Sequence, residues 1–131
     1  MINKILVVED SSSWRKFHLT ALHSIFSSNF NITMASSAKE GYDAVLQNVN
    51  EPFDLIITDL QMEFDFEPDL AGEWLVKQIK THKEFSNTKI IIISAMFNIT
   101  TIARKLDVEF VRKSDLARDV SFLRNLINKY K

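Results

Sequence analysis

Ile5-Leu6-Val7-Val8-Glu9-Asp10 carries the clearest structural signal in the chain. Four apolar residues without polar alternation suit a strand covered on both faces. Two carboxylates follow it at once. The same grammar returns downstream: Leu55-Ile56-Ile57-Thr58 is followed by Asp59, Ile90 to Ile93 by Ser94, and Val108 to Val111 by Arg112 and Lys113. Ile32 to Ala35 reads as a weaker second strand. A run of isoleucines at 90–93 fits only a central strand.

Amphipathic stretches separate these runs. Ser11 to Ser27 carries Trp14, Phe17, Leu19, Leu22, Ile25 and Phe26 at mostly helical spacing, with Ser11, Ser12 and Ser13 as N-cap candidates. Ser37 to Asn48 is a second helix, with Ser37 and Glu40 spaced as a capping box. Pro52 breaks the chain before the third strand. A loop is expected from Gln61 to Asp69, a third helix from Leu70 to about Lys83, and a short, poorly defined fourth helix from Thr100 to Leu106. A single last helix is expected from Asp115 to Tyr130, with Leu116, Val120, Leu123 and Ile127 on one face. Strict β-α alternation implies an α/β fold, a five-stranded parallel sheet with helices on both faces. With right-handed crossovers, the doubly wound flavodoxin-like order 2-1-3-4-5 is the expected topology.

Composition bounds the function. The 131 residues suit one domain, and 46% hydrophobic with 25% charged residues is ordinary for a globular protein. There is no cysteine, so disulfides and thiolate metal sites are excluded. With 16 basic and 17 acidic residues the net charge is −1, which lacks the basic surplus that direct nucleic-acid binding needs. The apolar run at Ile5 is too short for a signal peptide or membrane span. A cytoplasmic location without membrane insertion is expected.

In the order 2-1-3-4-5 the first and third strands are neighbours. Ligands bind beyond the carboxyl ends of the strands, where strand order reverses. Glu9, Asp10 and Asp59 should therefore converge. Three close carboxylates repel one another unless protonated or joined by a cation. A hard divalent ion with oxygen ligands and retained waters, Mg²⁺, suits so sparse a site. Lys113 adds a point charge and Ser94 a hydroxyl donor at the same edge. Metal, carboxylate, cation and hydroxyl together are what phosphoryl-group capture needs, since that chemistry is mostly positioning and charge stabilisation.

The pair Glu9-Asp10, the stretch Thr58-Asp59-Leu60-Gln61-Met62, Ser94-Ala95 and Phe110-Val111-Arg112-Lys113 together resemble the response-regulator receiver domain, over essentially the whole chain. The resemblance implies Asp59 as phosphoacceptor and Asp10 as a direct Mg²⁺ ligand. Glu9 would reach the metal through water, and the Gln61 backbone carbonyl would be a further ligand. It implies that Lys113 and Ser94 grip the phosphoryl oxygens and that the Phe110 rotamer follows the Ser94 hydroxyl. Small Ala95 would leave access to Asp59. Residues 1–131 would form a single stand-alone receiver without an output domain. Its phosphoryl donor would be a histidine kinase or histidine phosphotransfer protein, and its output a downstream effector. The surface of the fourth helix, fifth strand and last helix would switch, and it carries both charge signs, compatible with a homodimer. Such a protein is no enzyme beyond its own phosphorylation and dephosphorylation.

The chain departs from the family pattern at several places. Glu63 and Ser114 stand where prolines are usual, and a cis bond before Ser114 would cost roughly 3 kcal/mol. The loop before Gly72 is long and acidic, with Glu63, Asp65, Glu67 and Asp69 around Phe64 and Phe66. It reads as a solvated insertion, with a docking element as the sharper alternative. His18, His23 and His82 share no metal-ligand spacing and read as ordinary helix residues, and Trp14 and Trp74 as packing anchors. Among other functions, an aspartyl phosphatase would want an Asp-x-Asp after the first strand, and a flavin binder a Gly/Ser/Thr-rich loop, of which Ser11-Ser12-Ser13 is a faint echo. Only Gly41 and Gly72 exist. A receiver fold with a phosphorylation-independent interaction role is the alternative within the family.

Overall fold

A computed structural model describes residues 2–26, 29–62 and 70–129. The acidic loop with Glu63, Phe64, Asp65, Phe66, Glu67 and Asp69 lies outside them. Its elements are β1 Lys4–Val8, α1 Ser12–Ile25, β2 Asn31–Ala35, α2 Ala38–Gln47, β3 Leu55–Thr58 and α3 Ala71–Lys80. After a 3₁₀ turn at Lys83–Phe85 come β4 Lys89–Ser94, α4 Ile99–Leu106, β5 Glu109–Arg112, α5 Lys113–Arg118 and α6 Ser121–Asn128. The strands form one parallel sheet in the order β2-β1-β3-β4-β5, as the alternation requires.

Each central strand is buried on both sides because successive residues feed opposite cores. Leu6, Val8, Ile56, Ile90 and Ile92 join the core beneath α2, α3 and α4. Ile5, Val7, Leu55, Ile57, Ile91 and Ile93 join the core that includes Leu22 of α1, Leu116 of α5 and Leu123 and Ile127 of α6. The isoleucine run is thus shared between two hydrophobic layers. Among the described residues, no helix is long and apolar enough to cross a membrane.

The helix ends show where local chemistry overrides periodicity. The expected single last helix is two. Asp119 is extended (φ −156°, ψ 112°), and its carboxylate accepts the Ser121 N–H at 2.9 Å. An aspartate offers the backbone this alternative to a continued helix. Leu116, Leu123 and Ile127 are still buried, while Val120 is half-buried at the break. The third helix stops at Lys80, not Lys83, and a 3₁₀ turn follows. At α2, the Ser37 hydroxyl accepts the Glu40 N–H at 3.1 Å. Glu40 reaches back to Ser36, one residue before the N-cap, accepting its N–H at 3.2 Å and its hydroxyl at 2.9 Å. The short α4 is well formed, and the buried Glu73 of α3 pairs with its Lys105.

Ile92 is fully buried, so Ile92→Ala should lower the unfolding free energy by about 2–5 kcal/mol through lost burial and the cavity left. Urea denaturation measures it; a loss below about 1 kcal/mol would mean that this core is not packed as described.

Candidate phosphoacceptor site

Strand register assembles the site. Val8 is paired with Thr58, so Glu9 and Asp59 leave the sheet side by side. Ser94 is paired with Arg112, which places Lys113 one step beyond. Backbone bonds continue past the strands: Glu9 N–H donates to Ala35 O at 2.9 Å and Asp59 N–H to Val8 O at 3.1 Å. Glu9, Asp10 and Asp59 each bring a carboxylate oxygen within 4.8 Å of the others. With Gln61, Ser94, Ala95 and Lys113 they line a cleft of about 430 Å³.

Burial makes this cluster costly, and Lys113 compensates. Glu9 is 1% exposed and Asp59 6%. The Lys113 Nζ lies 2.8 Å from Glu9 Oε1 and 2.8 Å from Asp59 Oδ2. Its ammonium also sits 4.8 Å above the Trp14 ring, a cation–π contact. The other Asp59 oxygen accepts the Leu60 N–H at 2.6 Å. Burial still lifts the Asp59 carboxyl above its usual range, with help from the Glu9 charge and against Lys113 and Ser94. For Glu9, burial pulls upward too, but bonds from His18, Lys113 and Ser11 prevail and hold it at about 2. Burial pulls Lys113 down, and its two carboxylate partners more than reverse this, so it stays charged.

Asp10 is half-buried at the cleft edge, and Gln61 is exposed there. Ser94 is buried, and its Oγ accepts the Met96 N–H at 3.2 Å. Phe110 lies apart from these: half-buried on β5, it packs on the α2–α4 core and is not among the described residues lining the cleft. Trp14 is the packing residue expected, and it also supports Lys113.

Three supporting residues escape a reading of motifs. His18 is no ordinary surface position: it is 1% exposed, with Nε2 3.8 Å from Glu9 Oε1. Its spacing of four from Trp14 and from Leu22 put it on the buried stripe of α1. Arg15 donates from one guanidinium nitrogen to the carbonyls of Glu9 and Asp10, both at 2.9 Å, fixing the turn that bears the two acids. Gly72 abuts Asp59 itself. A Cβ there would lie 1.8 Å from Asp59 O, and the Gly72 N–H donates to Leu60 O at 2.9 Å.

The donor set fits a hard cation. All three acids are oxygen ligands, and one lysine leaves their cluster with surplus negative charge. This is an acidic, oxygen-lined pocket at the switch point of a flavodoxin-like sheet, with a lysine across it. Proteins of that class include one family whose profile, response regulator receiver domain, matches residues 5–113 of this chain. The chain belongs to that family, whose members are signalling modules of two-component systems. It is 29% identical over 92 residues to the sensor histidine kinase TmoS of Ectopseudomonas mendocina, a match covering 70% of this chain and 8% of the kinase. The chain thus spans a small part of that relative. Its fold matches the chemotaxis protein CheY4 of Vibrio cholerae with a TM-score of 0.74 at 17% identity over 100% of both chains. A CheY-like receiver domain from Methylobacillus flagellatus gives 0.74 at 20% identity, again over 100% of both.

Two outcomes follow for the metal-free protein in EDTA. Glu9 titrates near 2 when folded against 4.5 ordinarily, so its contribution to stability is complete above about pH 4.5 and is lost as pH falls toward 2. Glu9→Gln should flatten that acid limb in urea unfolding between pH 5 and 3; parallel curves would contradict the pairing of Glu9. Gly72→Ala should cost about 1–3 kcal/mol by overpacking against the Asp59 backbone. A variant of unchanged stability in urea unfolding would refute that close approach.

Proposed function

We propose that this receiver takes a phosphoryl group onto Asp59 from a phosphohistidine of a histidine kinase or phosphotransfer protein. The observation that carries this reading is the Lys113 ammonium shared between Asp59 and Glu9 at 2.8 Å each, beside a third carboxylate. An Asp59 oxygen forms the new O–P bond, the P–N bond to the donor imidazole breaks, and the departing nitrogen keeps that electron pair. Asp59 is held in place for this by Leu60 N–H on one oxygen. Its other oxygen is held by Lys113.

Mg²⁺, held by Asp10, Asp59 and the Gln61 carbonyl and by Glu9 through water, would supply positive charge to the phosphoryl oxygens. Lys113 passes from the Asp59 carboxylate to a phosphoryl oxygen, keeping its contact with Glu9. Ser94, buried beside the cleft, donates its hydroxyl to another. Transfer replaces a carboxylate by a group of greater negative charge and more acceptor oxygens. That change biases the surface around α4, β5 and the last helical stretch, α5 with α6, between two states, with Phe110 following Ser94, and a downstream protein or a second copy reads the result.

Intact-mass spectrometry after incubation with acetyl phosphate tests this. One phosphoryl adduct should appear only with Mg²⁺, and Asp59→Asn should show none. An adduct of equal size in that variant would exclude Asp59. Mg²⁺ at a hundred times its dissociation constant should also raise the unfolding free energy by about 2.7 kcal/mol. Absence of any stabilisation by saturating Mg²⁺ would exclude the metal assignment.

A further inference from the structure

The β4–α4 loop, residues 95–98, carries two features that local energetics disfavour. Phe97 is 87% exposed, one residue beyond Met96 of the cleft lining. Asn98, the N-cap of α4, makes no side-chain cap bond, and its Oδ1 is buried without a partner among the described residues. A loop free to relax would correct both. It is held from β5. The Arg112 guanidinium donates to Met96 O at 3.5 Å, Phe97 O at 3.3 Å and Thr100 Oγ1 at 3.1 Å.

Arg112 precedes Lys113 and is paired across the sheet with Ser94. Its fork therefore ties the loop and the first turn of α4 to the strand end that presents the site lysine. The same loop supplies the Met96 N–H that holds Ser94 Oγ at 3.2 Å. Ser94 already acts on the Asp59 carboxylate; for its hydroxyl to turn instead to a phosphoryl oxygen carried by Asp59, either the Met96 bond breaks or the loop follows. If the loop follows, the three Arg112 bonds must give.

We propose that Arg112 is a positioning residue that latches the β4–α4 loop in its resting place and opposes engagement of Ser94 with the phosphorylated acceptor. The proposal rests on the reading of Asp59 given above. Arginine suits the role: it is always charged, and its planar fork reaches several acceptors at once. All three acceptors are neutral oxygens, so the latch is a set of ordinary bonds that a ligand can break. A ligand shifts a two-state element only by its differential affinity. The latch subtracts from that difference, and removing it should tighten any phosphoryl mimic that draws Ser94 inward.

Beryllofluoride titration of the Mg²⁺-saturated protein, followed by tryptophan fluorescence, is the test. Trp14 reports because its ring lies 4.8 Å from the Lys113 ammonium. Arg112→Ala should bind about five- to tenfold more tightly than wild type, the equivalent of one to two hydrogen bonds. Thr100→Val, which removes one acceptor, should shift affinity the same way by less. Urea unfolding establishes that both variants fold. Wild-type binding with equal or weaker binding by both variants would overturn the latch alone. Failure of the wild type to bind would overturn the reading of Asp59, and the latch with it.

Discussion

The Lys113 ammonium, 2.8 Å from both Glu9 and Asp59, is the contact on which the site depends. Without it, buried carboxylates from neighbouring strands would face one another with no counter-charge, an arrangement that protonation or distortion would have to relieve. One lysine does not neutralise three acids. The residual negative charge keeps the pocket receptive to a cation while the pocket remains intact without one. The same lysine is thereby placed where a phosphoryl oxygen on Asp59 would need it.

That balance requires a rigid frame, and the sheet supplies one. Because β1, β3 and β4 are buried from both sides and β5 pairs along β4, the carboxyl ends of β1, β3, β4 and β5 keep fixed register. Around this frame each acid is held through its backbone. Arg15 grips the carbonyls of Glu9 and Asp10, and Gly72 lets α3 pack directly against Asp59 and Leu60. The acids can be repelled in charge without being displaced in space. On the other flank, the β4–α4 loop is tied to β5 by side-chain bonds from Arg112 rather than by backbone pairing.

Most of the fold was legible because its signals are local. Continuous apolar runs at Ile5–Val8, Leu55–Ile57 and Ile90–Ile93 can only be doubly covered strands, and strict alternation with helices leaves few topologies. The convergence of Glu9, Asp10 and Asp59 followed from topology alone. The broken last helix was less legible, because its apolar spacing runs unbroken through Asp119 while the break depends on one carboxylate choosing the Ser121 N–H.

Residue type and position along the chain were enough to specify the strands, their order and the residues at their carboxyl ends. Packing set what surrounds them. That His18 faces Glu9, that Gly72 touches the Asp59 carbonyl, and that Arg112 spans to the β4–α4 loop depend on how separate elements of the chain pack together. Periodicity states which face of a helix is buried, but only packing fixes which atom that face meets.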